Sequence, residues 1–412
     1  MPTNRKCRMC KGKQFELVLN MGDNPTVNSL IEEKDLSNEE AVYPLVVEQC
    51  QTCWLVQIVE PVDAQKIYRD EDYLYFSGDM PGLSSYFLEY AAEVKSNIFQ
   101  GQDLADKFII EIGSNDGTML HHFKNWNADI LGVDPASNVV VRALRDGIPT
   151  VSDFFSSRIA KSIFRDFGRA DFIYGNNCIA HLKDLNDLME GVKILLKNDG
   201  VFAVECNYWG GMVKNKNYAL VYHDHYSYFS LTNWANFADE HGMKVFDAWV
   251  TPAQGGSLRV YMTRDLKRAV TDRCSTLLHE EVTIHLSSLE TARKYRTSVL
   301  AEAKKLFSLI GEIKKTGKTI AGYGAAAKGF SVLKLAGLDQ RHIDYFVDDS
   351  PAKQGKYTPV THIPVVSREI AEGNLPDYFF ITAPNYEKVI VEKEVNFREN
   401  GGKFITVDCR IL

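Results

Sequence analysis

Short apolar runs that end in glycine-bearing loops occur twice along the chain. The first run is Phe108 to Ile112, followed by a loop with Gly113 and Gly117 and then by a stretch with helical spacing. Further apolar runs of strand length follow in ADILGV, ADFIYG and GVFAVEC, and a second series begins at TIAGYG. Buried strands alternating with helices predict two α/β, Rossmann-like units with parallel sheets.

A polar region at about residues 262–316 joins the two units. Its apolar residues recur at steps of three and four, which is the spacing of one buried helical face. The pattern predicts a long helix whose buried face carries Leu289, Ala292, Tyr295, Val299, Ala303, Leu306 and Ile310.

Composition and charge narrow the class of protein. A chain of 412 residues with 45% hydrophobic content is too long for one core, so two to three globular domains are expected. The formal net charge of -7 disfavours a general nucleic-acid binder. The N-terminus lacks the apolar core of a signal peptide, and no run of 18 apolar residues occurs. We expect a cytoplasmic protein without a membrane partner, and a monomer, since no segment forces oligomerisation.

Four of the eight cysteines form two C-x-x-C pairs, Cys7 with Cys10 and Cys50 with Cys53. This spacing favours a tetrahedral zinc site over an iron site or two unrelated thiol pairs. Four protein ligands leave no open position for water, so the zinc would be structural, within a module of about 70 residues. The remaining cysteines lie in or near apolar runs and are expected in the core: Cys178, Cys206, Cys274 and Cys409.

The loop after the first apolar run suits a nucleoside-containing cofactor. Glycines at positions 113 and 117 let the backbone approach a ligand, and Asp134 would accept hydrogen bonds from two ribose hydroxyls. The loop lacks the G-x-G-x-x-G spacing of a dinucleotide site, and its E-x-G-x-x-x-G pattern resembles class I S-adenosylmethionine-dependent methyltransferases. Asp153 and Phe154 could lie on either side of the adenine. The candidate cofactor-binding residues are Glu111, Gly113, Asn115, Gly117, Asp134, Asp153, Phe154 and Asn176.

The second glycine loop, GYGAAAKG, predicts a different ligand. Gly322, Gly324 and Gly329 do not match the dinucleotide fingerprint, which argues against NAD despite Asp348 downstream. Lys328 lies within the loop, beside the free N–H groups of a helix start, and suits a phosphate anchor. The alternative is a glycine-rich turn needed only for packing.

The order of these parts resembles the nucleotide-sugar C-methyltransferases over essentially the full length. The resemblance rests on MGDNPTVNSL, DYLYFSG, YHDHYSYFS, GGSLRVY, GYGAAAKG and VDDSPAKQGKY. It implies a zinc-binding module (1–72), a methyltransferase domain (73–248) and a C-terminal Rossmann-like domain that binds the sugar nucleotide (249–412). The implied reaction is methylation at C3 of a 4-keto-6-deoxy sugar, commonly linked to TDP, with GDP and CDP open.

The resemblance also assigns residues. The implied substrate-binding residues are Tyr75, Asn177, Ser257, Arg259, Tyr323, Lys328 and Asp348. The chain departs from the family at three places: Asp224 replaces the usual Glu, Gln254 replaces a frequent His, and ITAPNY replaces an A-W-N pattern.

A ketone at C4 makes the C3 proton removable, because the enolate places charge on oxygen. The matching family position makes His225 the base that removes this proton, and histidine suits the task near neutral pH. Tyr222 would hydrogen-bond the sugar or the enolate oxygen, Asp224 would position or polarise a neighbour, and His181 would lie near the sugar unless it is a helix-cap or core residue. If the segment is extended, Asp224 points away from His225, and His223 becomes the fallback base.

Other interpretations of the same residues stay open at this level. Tyr222, His225, Tyr226 and Tyr228 could form an aromatic packing cluster, and residues 223–225 could ligate a metal. An O- or N-methyltransferase would need no enolate. A zinc-bearing nucleic-acid-binding protein or RNA methyltransferase is disfavoured by the acidic balance.

Overall fold

The computed structural model describes residues 5–27, 29–68, 73, 75–80 and 82–412. Three features of the sequence analysis fall outside the described residues. They are residue 28 in MGDNPTVNSL, residues 72 and 74 in DYLYFSG, and the expected domain boundary at 72.

The N-terminal part is built on an antiparallel sheet. Its strands and helix are β1 (Phe15–Asn24), β2 (Tyr43–Cys50), β3 (Val56–Ile58) and α1 (Ala64–Tyr68). Cys50 is the last residue of β2, and the turn that follows it carries Cys53. Residues 7–12 form a second turn, closed by hydrogen bonds between Cys7 and Gly12 and between Lys11 and Cys7. The sheet therefore places the two C-x-x-C turns side by side.

The central part contains a seven-stranded sheet. Its elements are α2 (Leu83–Asn97), β4 (Phe108–Ile112), α3 (Thr118–Lys124), β5 (Asp129–Asp134), α4 (Ser137–Arg145), β6 (Thr150–Ser152), α5 (Ser157–Phe167), β7 (Ala170–Asn176), α6 (Leu185–Leu195), β8 (Leu196–Asn207), α7 (Trp209–Asn215), β9 (Ser227–Tyr228), α8 (Leu231–Glu240), β10 (Lys244–Thr251) and β11 (Ser257–Thr263). The strand order is β10-β11-β8-β7-β4-β5-β6, and β11 runs antiparallel to both its neighbours. The short strand β9 pairs instead with β3 of the N-terminal sheet.

The C-terminal part is a second α/β unit. Its elements are α9 (Asp272–Thr283), α10 (Leu289–Lys315), β12 (Ile320–Tyr323), α11 (Ala327–Ala336), β13 (Phe346–Val347), β14 (Val365–Val366), α12 (Arg368–Glu372), β15 (Tyr378–Ile381), α13 (Glu387–Lys393), α14 (Val395–Glu399) and β16 (Lys403–Thr406). The sheet order is β14-β13-β12-β15-β16, and every neighbouring pair is parallel. Short 3-10 turns lie at Glu33–Asp35, Ser77–Asp79, Ile179–His181, Ala253–Gly255 and Pro384–Tyr386.

The α/β fold class and the long helix are confirmed. Strand β4 has the predicted limits, and α10 buries the predicted face except at its first residue, Leu289. One apolar cluster continues from Leu45 through Ile110 and Leu258 to Ile320, so the three parts share a core. Among the described helices, none combines the length and the apolar character that a membrane span needs.

Candidate active site

The four cysteines of the N-terminal module lie close together. The Sγ atoms of Cys7 and Cys53 are 3.5 Å apart, those of Cys10 and Cys50 are 3.6 Å apart, and all four lie within 4.8 Å of one another. Zinc with four ligands at about 2.3 Å separates its sulfurs by about 3.8 Å. The cluster therefore fits zinc. Among the described residues, the side chains at 223–225 form no such group.

A cavity of about 400 Å³ lies where the strand ends of the central sheet meet the loops of the C-terminal unit. Residues from all three parts of the chain line it. The sequence-predicted site residues among them are Tyr75, Gly113, Asn115, Asp134, Phe154, Asn176, Asn177, His181, Tyr222, Asp224, His225 and Lys328.

Asp134 stands at the end of β5 and lines this cavity. Its carboxylate accepts hydrogen bonds from the backbone N–H groups of Asn115 and Ala136, both at 2.9 Å. Burial raises the pKa of Asp134 to about 6, despite these two donors. The buried Oδ1 of Asn176, at the end of β7, has no hydrogen-bond partner among the described residues. These acceptors fit the hydroxyls and amino groups of a bound nucleoside.

The glycines of this loop are also required by the fold itself. Gly113 and Gly117 both have positive φ, of 68° and 77°. A Cβ on Gly113 would lie 2.6 Å from the Cβ of Cys178, and one on Gly117 would lie 2.7 Å from Ile148. Backbone conformation and internal packing therefore demand both glycines, and Gly113 also lines the cavity.

The segment from Leu220 to Tyr226 is a turn, with a hydrogen bond of 3.1 Å from the His225 N–H to the Tyr222 carbonyl. The prediction drawn from an extended segment is therefore wrong. Asp224 and His225 both line the cavity, whereas His223 does not, and its Nε2 lies 3.2 Å from the Asn24 carbonyl oxygen. His223 is thus unsuited to act as the fallback base.

The protonation of His225 follows from its contacts. Its Nδ1 lies 2.7 Å from the carbonyl oxygen of Leu220. A carbonyl only accepts, so Nδ1 carries the proton and Nε2 keeps its lone pair in the neutral ring. Burial, followed by the neighbouring His181, lowers the pKa of His225 well below its usual value. The free protein therefore holds a neutral imidazole with Nε2 as its basic nitrogen.

Aromatic rings surround His225. His181 stacks on His225 at 5.4 Å between ring centroids and on Tyr68 at 5.6 Å, and the Tyr222 ring lies 4.0 Å from that of His225. Burial lowers the pKa of His181 to about 4, and its Nε2 has no partner among the described residues. Part of the aromatic cluster is present, since the His225 ring lies 4.0 Å from that of Tyr222 and 6.1 Å from that of Tyr228, but Tyr222 and His225 also line the cavity.

The carboxyl of Asp224 is also buried beside these rings. Burial raises its pKa to about 7, and the neighbouring Tyr68 hydroxyl offsets part of that rise. Burial likewise raises the pKa of Tyr222 well above 10, so its hydroxyl stays protonated. His225 is therefore accompanied by two groups that can donate a proton in a hydrogen bond at neutral pH.

Two lysines reach the cavity from the C-terminal unit. Lys328 donates to the side-chain oxygen of Gln254 at 3.0 Å, and Asn385 donates to the same oxygen at 3.3 Å. Burial lowers the pKa of Lys328 to about 8. Lys353 pairs with Asp348 at 3.1 Å. This wall is the positively charged side of the cavity.

Arg259 and three other predicted ligand residues are engaged elsewhere, outside the cavity lining. The guanidinium of Arg259 is buried against the carboxylate of Glu205 at 2.7 Å and lies over the Tyr90 ring at 3.3 Å from its centroid. Ser257 donates to the Ala253 carbonyl. The corrected assignment of Ser257 and Arg259 is structural, because their polar atoms are already satisfied within the protein.

The remaining predicted residues outside the lining also have internal partners. Tyr323 donates to Glu394 at 2.9 Å, and Asp348 accepts from the Ala325 N–H at 2.8 Å, so neither reaches the substrate space directly. Glu111 accepts from the Tyr174 hydroxyl at 2.9 Å, and Asp153 pairs with Arg158 at 2.7 Å. Glu111 and Asp153 therefore also have partners within the protein.

Sequence reasoning missed several residues that line the cavity: Tyr68, Tyr73, Lys353, Asn385 and, as a site residue, Gln254. The cluster of tyrosines in residues 68–75 and the departures at Gln254 and ITAPNY were available signals. None of them indicated which side chains would face the cavity.

The strand order, the acidic residue at the end of β5 and the glycine-bearing loop after β4 define a class I S-adenosylmethionine-dependent methyltransferase. Three family models match the chain: a zinc binding domain at residues 7–68, a methyltransferase domain at 86–248 and a C-methyltransferase C-terminal domain at 252–407. The C-methyltransferase NovU of Streptomyces niveus is 30% identical over 406 residues, which cover 97% of this chain and 94% of that protein.

The chain belongs to this C-methyltransferase family. It is an S-adenosylmethionine-dependent C-methyltransferase with a structural zinc site, and the O- or N-methyltransferase and nucleic-acid alternatives are set aside.

Solved structures resemble part of the chain. A SAM-dependent methyltransferase from Anabaena variabilis is 13% identical, with a TM-score of 0.33, over 43% of this chain and 84% of its own. The magnesium protoporphyrin IX methyltransferase of Synechocystis with bound SAH is 12% identical, with a TM-score of 0.35, over 45% of this chain and 84% of its own. The family assignment does not depend on either structure.

Proposed function

We propose that the enzyme methylates C3 of a nucleotide-linked 4-keto-6-deoxy sugar, with TDP the expected nucleotide. The observation that carries the proposal is the fixed tautomer of His225, a buried neutral histidine whose Nε2 is left basic inside the cavity. A methyl acceptor on oxygen or nitrogen already has a lone pair, whereas an acceptor carbon needs a base. The sugar-nucleotide class comes from the family resemblance and from the lysines of the cavity.

Nε2 of His225 would remove the C3 proton, and the negative charge would move onto the C4 oxygen. Such a base contributes on the order of 10²- to 10⁴-fold to the rate. The protonated hydroxyl of Tyr222 would hold the enolate oxygen, and such a donor is worth on the order of 10²- to 10³-fold. Asp224 and the unpaired Nε2 of His181 would position the sugar.

The opposite wall of the cavity suits the methyl donor. Asp134 would bind the ribose hydroxyls, Phe154 would pack beside adenine, and Asn176 would bind a polar group of the nucleoside or its amino-acid tail. When bound, S-adenosylmethionine supplies a methyl group activated by its sulfonium.

The diphosphate of the sugar nucleotide would lie near Lys328 and Lys353, since lysine ammonium groups suit phosphate oxygens. Tyr75 and Asn177 also line the cavity and would contact the sugar.

Incubation with S-adenosylmethionine and 4-keto-6-deoxyglucose linked to TDP, GDP or CDP tests the proposal. We expect one added methyl by mass spectrometry, fastest with TDP, and a proton NMR methyl singlet from a carbon that bears no hydrogen. A methyl on a heteroatom, or turnover only of sugars without a ketone, would contradict it.

A further inference from the structure

Arg8 lies between the first two zinc ligands, Cys7 and Cys10, yet its side chain leaves the zinc module. Its guanidinium is buried and donates to the side chain of Gln57 at 3.2 Å, the carbonyl of Ile58 at 2.8 Å and the carbonyl of Tyr226 at 3.0 Å. Tyr226 directly follows His225 in the chain. One side chain thus connects a zinc-binding turn to the backbone beside the base.

Both zinc-binding turns are also fastened to the central domain. Asn186, in α6, donates to the carbonyls of Arg8 and Met9 at 2.9 and 3.0 Å. Asn233, in α8, donates to the carbonyl of Cys53 at 2.6 Å. The position of each turn relative to the methyltransferase domain is therefore fixed by an asparagine amide.

The segment that carries Tyr222, Asp224 and His225 is held at its two ends by different parts of the chain. Upstream, the Ser331 hydroxyl of α11 donates to the Val221 carbonyl at 2.7 Å. Downstream, the Tyr226 carbonyl accepts from Arg8 and from the Ile58 N–H, where β3 begins its pairing with β9. The cavity side of the turn thus depends on clamps outside the methyltransferase domain.

We propose that Arg8 is a positioning residue through which the zinc-bound turn holds the Tyr222–His225 segment in its reactive geometry. On this account the zinc module is part of the active-site framework. The inference rests on the proposed function for its kinetic consequence, whereas its structural consequence is independent of the substrate. Loss of the hydrogen bonds that surround a metal site, or a shift of a catalytic group by about 1 Å, typically lowers activity on the order of 10- to 100-fold.

The test compares Arg8→Met and Arg8→Lys with the control Arg5→Met in the full-length, zinc-loaded protein. Arg5 lies in the same module but pairs with Glu48 at 2.7 Å and stacks on Phe15, without a hydrogen bond to the segment among the described contacts. The readouts are zinc content, binding of S-adenosylhomocysteine, kcat and KM for each substrate, and hydrogen–deuterium exchange over residues 220–228.

We expect Arg8→Met to keep the zinc and the affinity for S-adenosylhomocysteine, to lower kcat about 10- to 100-fold, and to exchange faster over residues 220–228. Arg8→Lys should recover part of the protection, and Arg5→Met should match the wild type. Wild-type exchange and kcat in a zinc-loaded Arg8→Met protein would overturn the proposal.

If Arg8→Met loses its zinc, wild-type protein treated with a chelator decides the question. Residues 220–228 should then lose protection while the cofactor loops keep theirs, and unchanged protection of the segment would overturn the proposal. Failure of the sugar assay alone would refute the proposed substrate and leave the exchange result valid.

Discussion

The buried carboxyl of Asp224 makes a prediction about stability as well as activity. Its pKa is raised from 3.8 to about 7, chiefly because burial penalises the charged form. Its Oδ1 has no hydrogen-bond partner among the described residues. Replacement by Asn removes the titration while keeping nearly the same shape.

The sign follows from comparing the folded and unfolded chains. Below about pH 4 both hold the proton, so Asp224 has no effect on stability through ionisation. Between about pH 4 and pH 7 only the folded chain holds it, which disfavours folding increasingly as the pH rises. At 1.36 kcal/mol per pH unit, the penalty is about 2 kcal/mol at pH 5 and reaches its limit of about 4 kcal/mol above pH 7. These are upper bounds, because water entry would lower them.

Urea unfolding of wild type and Asp224→Asn from pH 5 to pH 8 measures this difference. We expect the variant to gain stability relative to wild type by about 3 kcal/mol over that range, which is 1.36 kcal/mol for each of the two pH units between pH 5 and the folded pKa, because other titrating groups cancel between the proteins. The exposed Asp199 provides a control substitution of the same kind, Asp199→Asn. A stability difference between wild type and Asp224→Asn that does not change with pH would refute the reasoning. The same variant should also lose most activity. A buried carboxyl that lowers stability is typically retained where function needs it, so we expect the Asp224 carboxyl to contribute to activity.

Three further predictions follow from the other parts of the site. Cys50→Ser should lower bound zinc from one per chain and reduce solubility, and full zinc content measured by a colorimetric assay would contradict the four-thiolate site. Lys328→Met should raise KM for the sugar nucleotide about 10- to 100-fold, as expected for loss of a charge-assisted hydrogen bond, without changing calorimetric binding of S-adenosylhomocysteine. The wild-type kcat/KM should fall above pH 8, where free Lys328 loses its proton, and this decline should be absent in Lys328→Met.

Local sequence patterns were sufficient for the regular elements of the fold. The limits of β4 and the buried face of α10 follow from apolar spacing, and the C-x-x-C pairs predict the cysteine cluster because a tetrahedral site requires that spacing. That Asp134 and Asn176 line one cavity also followed from the sequence, since both end parallel strands whose ends meet at one edge of the sheet.

The sequence was insufficient where partners come from distant parts of the chain. Arg259 has a side chain of the type that binds phosphate. Only the fold reveals that Glu205 lies beside it and pairs with its guanidinium. Sequence reasoning considered an extended segment, in which His223 would share a face with His225 and Asp224 would point away. Residues 222–225 instead form a turn, so Asp224 lines the cavity with His225 and His223 does not. Tyr68 enters the site by stacking on His181, a contact across more than a hundred residues that no local pattern encodes.

The central claim is that His225 removes the C3 proton of a 4-keto sugar. The most direct test incubates TDP-4-keto-6-deoxyglucose in D2O with S-adenosylhomocysteine, which cannot donate a methyl, and follows deuterium at C3 by NMR. Wild type should exchange that proton, and His225→Ala should not, while both bind S-adenosylhomocysteine equally. If His225→Ala exchanged the C3 proton as fast as the wild type, another group would be the base. If the wild type methylated the sugar but never exchanged the C3 proton, the enolate mechanism would be contradicted.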